Sequence, residues 1–133
     1  MKTIKRSPLP ALLLILLSVS FSTCHPGEQV SLVFKGKLVI KAACAHYVIQ
    51  VLDAQFPKSK LMASWKDDTT DSTYTNVFKV ANLCSFPSDR VSQGDTIIFA
   101  LDNNPPPMNC MICTIAYPTP PVSNSVNQVQ KIN

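Results

Sequence analysis

Residues 30–42 read VSLVFKGKLVIKA, and this stretch predicts the fold class. Apolar side chains alternate with polar or outward-facing ones up to Phe34. After Gly36 the same phase continues through Leu38, Ile40 and Ala42, opposite Lys37, Val39 and Lys41. A period of two is typical of a strand with one buried face. A glycine near the middle of such a strand predicts a bend or bulge.

Further strands are predicted downstream by the same patterns, at residues 46–53, 61–65, 73–80, 96–101 and 110–117. In the tail, Val122, Val126, Val129 and Ile132 recur at helical spacing, with Ser123 as a candidate N-cap. This predicts a short amphipathic C-terminal helix, with a disordered polar tail as the equal alternative. Short strands with at most one or two helices favour a mainly β fold, either a small closed barrel or a sandwich.

The N-terminus has the layout of a secretory signal peptide. Basic residues at Lys2, Lys5 and Arg6 precede an apolar run over residues 11–17, and small residues follow it. The run is too short to span a bilayer, which needs about 20 apolar residues. We expect a signal peptide over residues 1–22 and one secreted, extracellular domain over residues 23–133. Cleavage after Thr23 is the less favoured alternative.

The basic character of the chain belongs mostly to this predicted signal. The whole chain carries 12 basic and 8 acidic residues, and three of the basic ones lie before residue 23. The expected mature chain therefore has nine basic and eight acidic residues, a net charge of +1. Nucleic-acid binding normally requires a dense basic face, so no nucleic-acid partner is expected.

Five cysteines, at positions 24, 44, 84, 110 and 113, are disulfide candidates in an oxidising compartment. The pair Cys110 and Cys113 lacks the second cysteine pair that a zinc site normally requires. It is therefore predicted to form two disulfides with different partners. Linking Cys24 to Cys84 would close a loop of about 60 residues, which the chain-entropy model values at about 4 kcal/mol. The odd number leaves one cysteine free, buried or bonded to another chain.

Sites for catalysis, metals or cofactors are not predicted. His25 and His46 lie in separate segments without a nucleophilic or acidic partner at a telling spacing, so each is interpreted as structural or exposed. Asp67, Asp68 and Asp71 lack the central glycine and terminal glutamate of an EF-hand loop and are interpreted as a solvated loop. We therefore expect a non-enzymatic protein without a cofactor.

The chain resembles the netrin-like superfamily, which includes the tissue inhibitors of metalloproteinases (TIMPs) and the N-terminal (NtA) domain of agrin. The similarity to the NtA domain lies in a leading cysteine, the strand at residues 30–39, a cysteine like Cys84, and the stretch VSQGDTIIF at residues 91–99. The resemblance implies an OB-like five-stranded barrel over residues 24–132, with terminal helices. It also implies binding to an extracellular matrix protein, possibly the laminin coiled coil, through Val126 and Val129.

A TIMP-like metalloproteinase inhibitor acting through Cys24 is the alternative function. In that family the α-amine and carbonyl of an N-terminal cysteine chelate the catalytic zinc, so Cys24 would have to be the first mature residue. That requires cleavage after Thr23. The opening Cys-x-Cys of the family is absent because position 26 is Pro26, and His25 replaces a small second residue.

Overall fold

The computed structural model describes residues 31–133, a single β-sheet of seven strands with one short 3-10 turn at Lys58–Lys60. The strands are β1 (Val33–Ala42), β2 (His46–Val51), β3 (Met62–Asp67), β4 (Ser72–Val80), β5 (Thr96–Leu101), β6 (Ser123–Asn124) and β7 (Val126–Lys131). The predicted mainly β fold class is confirmed. No helix in this part of the chain is long and apolar enough to cross a membrane.

The strand order is β3-β4-β2-β1-β5-β7, and β6 pairs with β4. The β4–β6 pair is parallel and every other pair is antiparallel. No ladder joins the edge strands β3 and β7 within residues 31–133, so the sheet is not closed and the predicted barrel is not confirmed.

A β-bulge in β1 divides the apolar residues of this central strand between two faces. In the pairing with β2, Leu38 lies opposite Ile49 but Ile40 lies opposite Val48, so β1 contains one extra residue at Val39. Leu38 therefore packs in the main core, whereas Val39 and Ile40 pack in a second cluster with Val48. The uninterrupted phase predicted from Leu38 to Ala42 is wrong, because the extra residue reverses the side on which the following side chains lie.

The main core is built around four phenylalanines. The Phe56 ring lies 4.8 Å from Phe34 and 5.7 Å from Phe78, measured between centroids, and Phe78 lies 5.7 Å from Phe99. Tyr47, Ile49 and Val51 of β2 all face this core, as their alternation predicted.

The tail forms strands rather than the predicted C-terminal helix. β7 also contains a bulge: residues 98 and 100 of β5 lie opposite residues 130 and 127 of β7. Gln128, within the bulge, has a positive φ of 51°. The extra residue puts Val126 and Val129 on the core side although they are three positions apart. The bulge in β7 therefore gives Val126 and Val129 the three-residue spacing from which a helix was predicted.

Residues 110–117 form no strand, which is a second difference from the prediction. This segment belongs to a long connection between β5 and β6 that crosses the face of the second apolar cluster. Tyr117 packs against that cluster. Several apolar residues that predicted a strand at 110–117 are instead exposed to solvent.

Position 36 requires a glycine because neighbouring atoms leave no room for a β-carbon. The bulge of β1 is not at this glycine but further along the strand, between Leu38 and Ile40. A β-carbon at Gly36 would lie 2.8 Å from Ile49 Cγ2, 2.9 Å from Phe99 Cε1 and 3.0 Å from the carbonyl oxygen of Gln50.

We predict that Gly36→Ala lowers the free energy of unfolding by about 2 kcal/mol because the core is overpacked. Urea unfolding measures this loss. Lys35→Ala, at an exposed position of the same strand, is the control; equal stability of Gly36→Ala and this control would contradict the prediction.

Asp95 links the start of β5 to the end of β7. Its Oδ1 lies 2.8 Å from Lys131 Nζ, and its Oδ2 accepts a hydrogen bond of 2.8 Å from the Ser92 amide. The Lys131 ammonium, and then the Ser92 amide, lower the pKa of Asp95 below its ordinary value of 3.8. The ionised form is thereby favoured in the folded state, so its stabilising effect is present above pH 3.8 and is lost as the pH falls through the lowered pKa.

We predict that Asp95→Asn is less stable than the wild type at neutral pH, and that the difference in melting temperature disappears on acidification below the lowered pKa of Asp95. Asp89→Asn removes a carboxylate of an exposed pair, 3.9 Å from Arg90, and serves as the control. A difference between wild type and Asp95→Asn that is constant with pH would contradict the assignment.

Candidate functional site: a disulfide-clamped loop and a cleft beside β7

The connection after β5 contains the most distinctive surface of the described residues. From Asn103 to Gln130 the sequence has no charged side chain, and it contains six prolines. Residues 103–117, here called the clamped loop, contain no helix or strand. Proline fixes its own φ and removes a backbone donor, so such a segment is unsuited to a central strand and favours an extended path.

Two disulfides hold the loop. Cys110 is bonded to Cys84 and Cys113 to Cys44, with Cα–Cα distances of 5.5 and 5.3 Å. The prediction that Cys110 and Cys113 have different partners is confirmed. The link between Cys24 and Cys84 that the sequence left open is not formed, because Cys84 is bonded to Cys110. Cys24 and His25 lie outside the described residues, and the four described cysteines are all paired with one another.

The base of the loop is fixed by hydrogen bonds to the sheet. The Tyr117 hydroxyl donates to Asp67 Oδ2 at 3.3 Å, and His46 Nε2 lies 2.9 Å from the carbonyl oxygen of Ile115. Burial, together with the Asp67 carboxylate, raises the pKa of Tyr117, which keeps its hydroxyl protonated as a donor. The His46 contact joins the loop to the start of β2.

Asp67 is not part of a solvated loop. It ends β3, is fully buried, and accepts hydrogen bonds from the Thr69 amide and the Thr70 hydroxyl as well as from Tyr117. Only Asp68 and Asp71 of the predicted solvated group are exposed. A buried carboxylate is retained when hydrogen bonds satisfy it, and here one of those bonds fixes the loop.

The middle of the clamped loop presents apolar side chains to solvent. Met111 is fully exposed, and three others remain largely exposed: Met108 at 58 %, Ile112 at 40 % and Ile115 at 63 %. Exposed apolar groups clustered in this way mark interaction surfaces. Within the described part of the chain, the backbone amides and carbonyls of residues 111–114 form no hydrogen bond.

A cleft of about 400 Å³ lies beside β7. Residues 126–130 form one wall, and Ser85, Pro87, Arg90, Asp102 and Pro106 form the remainder. Val126 and Val129, predicted to bind a partner, both border this cleft. Val126 is only 2 % exposed and is a core residue, whereas Val129 is half-buried. Only Val129 presents part of its side chain to solvent.

A buried amide fixes the β7 wall of the cleft. The Asn82 Oδ1 accepts from the Val126 amide at 2.9 Å, and Asn82 Nδ2 donates to the Val126 carbonyl oxygen at 2.8 Å. The same nitrogen lies 2.7 Å from Ser85 Oγ, and Ser85 also lines the cleft. Two parts of the cleft lining are therefore held to one side chain. The sequence showed no signal for this role of Asn82, since it depends on a residue 44 positions away.

We predict that Asn82→Ala lowers the free energy of unfolding by about 3 kcal/mol, because it leaves a buried amide and a buried carbonyl of Val126 unpaired. Chemical denaturation measures the loss, and hydrogen exchange at the Val126 amide should accelerate. Ser85→Ala keeps both bonds to Val126 and is the control, with an expected loss of about 1 kcal/mol. Equal losses in the two variants would contradict the bridging role.

The two candidate surfaces are thus the clamped loop and the cleft beside β7. Residues 31–133 contain no group of three or more histidine, cysteine or acidic side chains that could hold a metal ion. Comparisons of the chain with protein-family models, with curated proteins and with solved structures found no match.

Proposed function

We propose that this chain is a secreted, non-enzymatic binding module that docks to an extracellular matrix protein such as laminin. The cleft beside β7 is the proposed contact surface, and it carries the proposal. It is concave, its wall is held by Asn82, and it lies at an edge of the sheet where β7 has a neighbour on one side only among the described strands.

Secretion is supported by the signal-like N-terminus and by the two disulfides. Disulfides form and persist in oxidising compartments and are rare in the cytosol. The bonds Cys44–Cys113 and Cys84–Cys110 close loops with sequence separations of 69 and 26 residues. The chain-entropy model values such links at about 4 kcal/mol each, so a domain of this size would depend on them.

The netrin-like barrel remains part of this proposal. Its support is the position of the C-terminal segment: β6 pairs with β4, and β7, after a single intervening residue, pairs with β5. The tail therefore contacts strands that lie three places apart in the sheet order. A sheet bent in this way approaches the OB-like shape that the sequence resemblance implies.

The chemistry of the cleft suits an amphipathic helix of the partner. Val129 offers a small apolar contact, and Asn127 and Gln130 offer amide groups beside it. Arg90 and Asp102 add one positive and one negative side chain to the lining. A helix of a coiled coil, with apolar and polar residues on neighbouring positions of one face, complements this combination.

The alternative mechanism through Cys24 has less support. Zinc chelation by an N-terminal cysteine needs a disulfide that holds the chelating residue rigid, since rigidity lowers the ordering cost of binding. All four described cysteines are bonded to one another. None of them is available to hold Cys24.

Binding to an immobilised laminin coiled-coil fragment tests the matrix proposal. We expect micromolar or tighter binding by the wild type and at least tenfold weaker binding by Asn127→Arg and Val129→Asp, because both place a charge in the cleft. Leu52→Asp, at an exposed position outside the cleft, is the control for an added surface charge. Melting temperatures confirm that each variant is folded; Asn127 is exposed, so its variant separates binding from stability.

Absence of wild-type binding would contradict the choice of laminin. Binding that is unchanged in Asn127→Arg and Val129→Asp would instead exclude the cleft as the contact surface.

A further inference from the structure

We propose that the clamped loop is a second, independent binding surface, and that it occupies the substrate cleft of a serine endopeptidase whose primary pocket is apolar. Met111 is the side chain that enters the pocket. The complex is non-covalent in this proposal, and no bond is formed or broken.

Met111 is the most exposed apolar side chain of the loop. It is fully exposed, whereas the neighbouring Ile112 is 40 % exposed. It also lies between Cys110 and Cys113, which are bonded to two different parts of the domain, Cys84 and Cys44. A side chain that projects from a segment fixed at both ends can enter a pocket without ordering a flexible chain first, and this preorganisation strengthens binding.

The backbone of residues 111–114 is available for pairing as far as the described residues show. A substrate cleft binds an extended peptide by pairing with its amides and carbonyls, as a strand edge does. These groups have no hydrogen-bond partner among the described residues. The same observation disfavours insertion into a lipid bilayer, because unpaired backbone groups are strongly unfavourable in hydrocarbon. A protein cleft is therefore the better occupant.

The lack of charge on the loop indicates which kind of primary pocket it fits. No charged residue occurs between Asn103 and Gln130, and the exposed side chains of the loop tip are Met and Ile. The primary pocket of a serine endopeptidase selects its side chain by chemistry: a hydrophobic slot accepts large apolar groups, whereas an acidic pocket requires Lys or Arg. The loop therefore matches the hydrophobic slot.

The test uses two related enzymes whose primary pockets differ, chymotrypsin with a hydrophobic slot and trypsin with an acidic pocket. We expect the wild-type protein to inhibit chymotrypsin competitively, with an inhibition constant of about 1 μM or tighter, and to leave trypsin unaffected. Met111→Lys should reverse this preference: inhibition of chymotrypsin weakens at least tenfold and inhibition of trypsin appears. Leu52→Lys, at the opposite end of β2 from His46, is the matched control and should behave as the wild type.

Rigidity is tested with the double variant Cys44→Ser, Cys113→Ser, which releases one end of the segment. It should inhibit more weakly and be cleaved within residues 110–114, because a loosened loop is processed as a substrate. Hydrogen exchange of the β1 and β5 amides shows whether the sheet is still folded. If the sheet is lost, Met111→Lys alone decides the question, since Met111 makes no buried contact.

Three results would overturn the proposal. In the first, the wild type does not inhibit chymotrypsin even at 100-fold the expected inhibition constant. In the second, Met111→Lys fails to inhibit trypsin. In the third, the wild type binds neutral phosphatidylcholine vesicles and does not bind chymotrypsin. The laminin measurement is independent of all three, because Met111 lies outside the β7 cleft. Met111→Lys should bind laminin as the wild type does, so each function can fail without the other.

Discussion

The extra residue in β1 between Leu38 and Ile40 is the constraint on which the rest of the structure depends. Because β1 lies between β2 and β5, a change of phase within it sends apolar side chains to both faces of the sheet. Leu38 joins the phenylalanine core, whereas Val39 and Ile40 join a second cluster on the other face. That second face needs a cover, since exposed apolar surface is unfavourable in water.

The connection between β5 and β6 supplies this cover, and the way it is attached explains why it also has an exposed surface. Tyr117 packs on the second cluster and is hydrogen-bonded to the buried Asp67. Two disulfides then fix the preceding residues, 110 and 113, to separate parts of the domain. Between these two fixed residues, Met111 is fully exposed and Ile112 is partly exposed. The exposed methionines and isoleucines of this loop form the second proposed binding surface.

The cleft beside β7 has a different physical origin. It is formed where the tail returns to the sheet, and its β7 wall is ordered by the Asn82 side chain rather than by a covalent link. A buried amide that satisfies both polar groups of Val126 orders the junction between β6 and β7, because leaving either group unpaired is costly. The β7 wall and the tip of the clamped loop are therefore ordered by different interactions, although Pro106 of the loop also lines the cleft. In the two proposals, each surface has its own partner.

Local patterning determined the fold class and most of the strands. The patterns in residues 30–42, 46–53, 73–80 and 96–101 predicted four strands, and the structure has strands within one to three residues of these bounds, because a half-buried strand imposes a period of two on its sequence. The separate partners of Cys110 and Cys113 were also predicted, from the lack of a second cysteine pair and from the expected oxidising compartment. The tertiary structure alone decided the rest. Val126 and Val129 resemble a helical pair because a bulge at Gln128 returns both to the core, and the role of Asn82 needs a partner distant in sequence. Bulges, disulfide partners and buried polar pairs depend on strand register and on distant neighbours, which the local sequence does not encode.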